Sequence, residues 1–117
     1  MNLEVVNSGQ LLNIASESLH IKELSTQLEK DFCLANISLK LPLKFEPIEF
    51  ISVIREKVYY LMMEHFSEYL NLLYVVDVPE SQFKQIEITD AVEVADQMTF
   101  LILKREYQKV WYRNKYT

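Results

Sequence analysis

Between Pro47 and Phe66 the residues Ile51, Ile54, Val58, Leu61, Met62 and His65 recur at steps of three and four, while Glu49, Glu56 and Glu64 fall away from that stripe. This is the period of a helix with one buried face. Pro47 suits its first position, where a missing amide hydrogen costs nothing. A second helix is predicted from Thr89 or Asp90 to near the C-terminus. Asp90 and Glu93 stand at capping-box spacing there, and Lys109, Arg113 and Lys115 complement the dipole at the far end. A third is predicted over Leu19 to Ala35, with Ile21, Leu24, Leu28, Phe32 and Ala35 on one face. Ser8 is placed to cap a short helix carrying Leu11, Leu12, Ala15 and Leu19.

The segment 36–46 alternates at Ile37, Leu39 and Leu41, which suits a strand. Pro42 and Pro47 so close together favour an extended connection instead, one that lays Leu43 and Phe45 over the core. Leu70–Val76 reads two ways, as an extension of the long helix or as a buried strand, because Tyr74, Val75, Val76 and Val78 are β-prone. Pro79 starts a short helix holding Phe83 and Ile86. The expected fold is all-α: one helical domain over residues 1–117, an up-and-down bundle of three to four main helices with one extended connection.

Composition narrows the alternatives. One glycine and three prolines in 117 residues are too few for the turns of an all-β protein. A single cysteine excludes an internal disulfide framework and a thiolate metal cluster within the chain. The apolar windows at Val58–Met63 and Leu70–Val76 are interrupted by Glu64, His65 and Glu68, so no transmembrane span is expected. The N-terminus has no basic, apolar leader pattern, and with one cysteine the expected location is cytoplasmic. Gly9 is the sole glycine, so phosphate-cradling loops of the dinucleotide and P-loop kinds are excluded. No serine has the context of a nucleophile elbow.

The net charge of −5 opposes attraction to nucleic acid or an anionic membrane, but the charge is uneven. Residues 104–117 hold Lys104, Arg105, Lys109, Arg113 and Lys115 against Glu106 alone. On the last helix Ala91, Val94, Ala95, Met98, Leu101 and Ile102 share a face that continues into Arg105, Lys109 and Arg113 at i, i+4 and i+8. Phe100, Leu103, Tyr107, Val110 and Trp111 gather on the other side, so the apolar stripe is expected to change sides near residue 100. The basic ladder is a candidate anion site, with Tyr112 or Tyr116 stacking on a base. The competing reading is a solvated face whose cations pair with acids elsewhere. Phe100, Leu103, Tyr107 and Trp111 are candidate partner-binding residues or, in the competing reading, core positions.

Metal chemistry has one route. His20 with Glu23 and His65 with Glu68 are both His-x-x-Glu pairs, able on a helix to offer nitrogen and oxygen to one ion. Against this, di-iron bundles use the reverse order plus two further glutamates, and His65 lies within an apolar stripe where a core histidine bonded to a tyrosine, carboxylate or carbonyl is expected. Arg55 is placed to pair with Asp77 or Asp96 or to stand exposed. Cys33 carries no mark of a nucleophile.

Leu72-Leu-Tyr-Val-Val-Asp-Val-Pro-Glu80 and Leu103-Lys-Arg-Glu-Tyr-Gln-Lys-Val-Trp-Tyr-Arg113 resemble segments of small uncharacterised all-helical bacterial proteins. The resemblance is confined to these stretches; it implies an all-helical fold and carries no activity or site residue. With no cofactor loop and no catalytic set, and with six Phe, seven Tyr and one Trp to house, the expected function is non-enzymatic: a small cytoplasmic subunit working through helix-face protein contacts, with itself as a homodimer or within an assembly. Polyanion binding through Arg105, Lys109 and Arg113 is the alternative, and a metal-dependent enzyme on a helical bundle the third reading. No cofactor and no membrane partner are expected.

Overall fold

The computed structural model describes residues 5–87 and 89–116, and its regular elements are all helices, with no strand among the described residues. The helices are α1 (Ser8–Glu17), α2 (Ile21–Leu34), α3 (Pro47–Glu64), α4 (Phe66–Val76), the single turn α5 (Glu80–Phe83) and α6 (Ala91–Lys115). There are thus more helices than the three to four expected, because the chain from Pro47 to Val76 is divided and the N-terminal segment forms a full helix.

Helices α1, α3 and α6 each start where a side chain meets the first free amides. Asn7 rather than Ser8 caps α1, its Oδ1 accepting from the Gln10 amide at 2.9 Å. Ser8 is instead the first helical residue and is buried. Glu46 accepts from the amides of Ile48 and Glu49 ahead of α3, with Pro47 at the start of the helix. Asp90 accepts from the Glu93 amide at 2.8 Å to begin α6.

The helix ends are closed in an unusual way for so little glycine. Leu19, Asn36 and Asp77 have φ of 61°, 66° and 68°, and each follows a helix. The next amide then reaches back five residues in every case: His20 to the Ala15 carbonyl, Ile37 to Phe32 and Val78 to Leu73. These are Schellman closures, in which glycine normally takes the left-handed position. Asn and Asp tolerate it, whereas leucine incurs the steric cost of its Cβ. Leu19 was expected on a helix face; it is 88% exposed and makes no use of its side chain in the core. Replacing Leu19 by glycine is therefore expected to stabilise the fold by about 1 kcal/mol, read as a higher urea midpoint with an unchanged m-value.

α3 gives way to α4 at His65 (φ −143°, ψ 62°), one residue before the expected end at Phe66. The hydrogen-bond ladder bridges the break, His65 donating to the Leu61 carbonyl and accepting from the Tyr69 amide. Leu70–Val76 thus belongs to a separate helix, and its β-prone residues are carried by packing. His65 is exposed rather than in the core, because the break turns it away from the apolar stripe of α3. Its Nε2 and the Tyr60 hydroxyl are 2.8 Å apart.

Residues 36–46 form the extended connection. Ile37 and Leu39 are buried and Leu41 and Phe45 half-buried, with Phe45 edge-on to Phe50 at 5.5 Å. Leu43 departs from the expectation: a bend at residues 43–44 interrupts the alternation and leaves it fully exposed. After Pro79, Phe83 and Ile86 pack on the core, although Ile86 lies beyond the short helix.

α6 packs against every other helix. Its buried residues are Ala95, Met98, Thr99, Ile102, Leu103, Glu106, Tyr107 and Val110, one stripe at steps of three and four. The stripe does not change sides near residue 100. Thr99 and Glu106 occupy buried positions within it, so its polar members hide its continuity in a reading by hydrophobicity. Thr99 satisfies its own hydroxyl by donating to the Ala95 carbonyl at 2.8 Å.

Candidate functional site

Arg105, Lys109 and Arg113 of α6 lie along the edge of this stripe, which brings them to neighbouring helices. Arg105 Nε donates to the Asp77 carbonyl at 3.1 Å and its Nη2 meets Asp77 Oδ2 at 3.3 Å, so it closes the C-terminus of α4, where a cation is favoured. Lys109 Nζ donates to Asp31 Oδ2 on α2 at 2.7 Å. Arg113 Nη1 donates to Gln27 Oε1 at 2.9 Å, and its Nη2 lies 3.6 Å from Glu23. Asn114 donates to the same Glu23 carboxylate. Each base of the candidate anion ladder thus already faces a carboxylate.

The inner end of this seam holds two carboxyls. Asp31 is 4% exposed and Glu106 fully buried. Asp31 Oδ2 accepts from Lys109 and from Gln27 Nε2. As an acceptor, Glu106 finds no hydrogen-bond donor; its nearest cation is Lys109 Nζ at 3.5 Å. Burial, and then the hydrogen bond shared with Asp31, push the Glu106 carboxyl up to about 9, against the pull of Lys109. Burial also pushes Asp31 upward, but its bonds with Glu106, Lys109 and Gln27 outweigh this and hold it below the ordinary carboxylate range. The two opposite shifts agree with one arrangement, a proton held on Glu106 and shared with ionised Asp31, which leaves a single ion pair with Lys109. Asp31 and Glu106 face protein on the seam between α2 and α6. Their evident work is to join α2 to α6.

The other sequence candidates separate. Among the described residues no three His, Cys, Asp or Glu side chains converge to hold a metal ion, so His20, Glu23, His65 and Glu68 are not drawn into one site. His20 Nδ1 and the Tyr107 hydroxyl are 3.0 Å apart, Glu23 faces Arg113 and Asn114, and His65 faces Tyr60. Arg55 meets Asp96 at 3.4 Å. Of the proposed contact residues, Leu103 and Tyr107 are fully buried and Phe100 and Trp111 half-buried against the core. A partner cannot touch Leu103 or Tyr107 in this fold.

The exposed apolar surface lies elsewhere. On α4, Phe66, Leu70 and Tyr74 stand at i, i+4 and i+8 and are 58%, 50% and 84% exposed, while Tyr69, Leu72, Leu73 and Val76 take the core side. Tyr59, Tyr60 and Met63 are exposed on the last turns of α3. Sequence reasoning missed this ridge because it left open whether Leu70–Val76 was a helix; at helical period the spacing of the three residues is plain. Beside the ridge, Leu70, Leu73, Tyr74, Asp77, Val78, Glu80 and Phe83 line a groove between α4 and α5. No family model, curated protein or solved structure matches the chain.

Proposed function

We propose that this protein works through helix-face contacts with another protein chain, as a small cytoplasmic interaction or assembly subunit without a cofactor or catalytic group. The observation that carries the reading is the α4 ridge. Three large apolar side chains on one face remain half or more exposed while the opposite face is buried, and a contiguous patch of this kind marks a contact surface. Aromatic residues on such a face are strong contributors when a partner removes them from water. Within this reading the main helices thread up and down around α6, with residues 36–46 as the extended connection. No helix among the described residues is long and apolar enough to cross a membrane.

A photo-crosslinking phenylalanine analogue placed at Tyr74 in the native host is expected to yield a discrete adduct of higher mass. The same analogue at Lys44, exposed in the extended connection, is expected to yield none. An identical crosslinking pattern at the two positions would overturn the assignment.

A further inference from the structure

We propose that the α4–α5 groove takes a basic amphipathic helix of a partner protein, seated on Leu70, Tyr74 and Phe83 with its cations beside Asp77 and Glu80; the inference rests on the protein-contact reading above. The charge of the rim selects the occupant. Asp77 and Glu80 are the charged side chains lining the groove, and α4 itself contains no lysine or arginine. Arg105 holds Asp77 from the α6 side, yet the Asp77 side chain remains 77% exposed. Glu80 pairs with Lys84 in a contact where both side chains are about two-thirds exposed, at 67% and 69%, and such surface pairs yield readily to a competing cation. A helix with apolar residues at i, i+3 and i+4 and lysine or arginine beside them would fill the apolar floor and meet both carboxylates, the helix-in-groove mode of recognition.

The same rim argues against a second copy of this chain. A two-fold contact places a patch against itself. That brings together two acidic rims, each only partly offset by Arg105 and Lys84, in molecules that each carry a net charge of −5, and like charges brought together suppress association.

The test uses the full chain and two labelled peptide probes. One is a short Leu/Lys amphipathic helix; the other has the same leucines with every lysine replaced by glutamate. Binding is read by fluorescence anisotropy, and the location by amide chemical-shift changes. The Lys peptide is expected to bind with shifts centred on Leu70, Tyr74 and Phe83, and at least tenfold more tightly than the Glu peptide. L70S/Y74S, which alters exposed side chains without altering charge, is expected to weaken it tenfold or more, and E80Q several-fold. Equal affinity of the Lys peptide for wild type and L70S/Y74S would overturn the groove assignment. A concentration-dependent dimer in sedimentation that L70S/Y74S abolishes would identify the occupant as a second copy; that outcome overturns the basic partner while sustaining the contact reading. A monomer that binds neither peptide, with a crosslink still formed at Tyr74, overturns the basic helix alone. The same monomer without the crosslink overturns both.

Discussion

Replacing Lys109 by methionine is expected to cost about 3 kcal/mol of folding stability at pH 7, because removing one partner of a largely buried ion pair leaves an uncompensated charge. The methionine keeps most of the aliphatic stem that packs between α2 and α6, so lost volume contributes little. What remains is Asp31 at 4% exposure, with Gln27 as its one nitrogen donor and Glu106 as its proton donor. Loss of the cation favours proton uptake by Asp31, so the penalty is expected to shrink as pH falls toward 4. The double variant D31N/K109M removes both charges together and is expected to recover most of the stability, since a neutral pair avoids the desolvation that the ion pair must offset. Urea unfolding of the wild type, both single variants and the double variant closes the cycle. If K109M falls within about 0.5 kcal/mol of wild type, the pair behaves as an ordinary surface salt bridge and contributes little to joining the helices.

The elements that could be read in advance are those whose periodicity is carried by apolar residues alone. Of the stripe read on α3, Ile54, Val58 and Leu61 are buried and Ile51 and Met62 half-buried, whereas Phe50, not counted in it, is buried and His65 is exposed. Of the two caps offered, Thr89 and Asp90, it is Asp90 that marks the start of α6, accepting from the Glu93 amide. The errors have physical causes of the opposite kind. Glu106 and Thr99 sit on the buried stripe of α6, so a reading by hydrophobicity divided one stripe into two. That division put Leu103 and Tyr107 on an apparent outer face and suggested a contact surface where the core lies. The basic residues were read as a face of their own opposite the aromatic side, whereas they flank the one buried stripe, and their acids come from α2 and α4, far away in the chain. No local spacing reveals such a pairing. The α4 ridge was missed for a further reason: a single residue, His65, ends one helix and begins the next, and only the three-dimensional path separates Phe66, Leu70 and Tyr74 from the stripe of α3.

Stability is expected to fall as pH rises from about 5 to 9, and E106Q is expected to remove that part of the slope. In the folded chain Glu106 holds its proton up to about 9, against an ordinary value of 4.5. Between these values the folded state carries a proton that the unfolded state has released. Unfolding then loses a proton, so raising pH favours it, by about 1.4 kcal/mol per pH unit where the difference is complete. The contribution of Glu106 is fully present below pH 4.5 and lost as pH climbs through the folded value. Asp31 runs the other way. Its carboxyl is held below the ordinary 3.8, so its contribution is present above that value and lost as pH falls through the lowered one. The seam is therefore most stabilising just above pH 4, where Asp31 is ionised, Glu106 is protonated and Lys109 is charged. Glutamine at 106 cannot titrate, but its amide can still donate to Asp31 and its carbonyl can still face Lys109. Subtracting the E106Q curve from that of wild type cancels the exposed carboxylates, which titrate alike in both. The difference is expected to move by about 4 kcal/mol in favour of E106Q between pH 5 and pH 8, with the variant the more stable protein at the alkaline end. Urea unfolding in matched buffers at each pH measures it. Parallel curves for the two proteins would mean that Glu106 is ionised in the folded chain at neutral pH, and the shared proton would have to be abandoned.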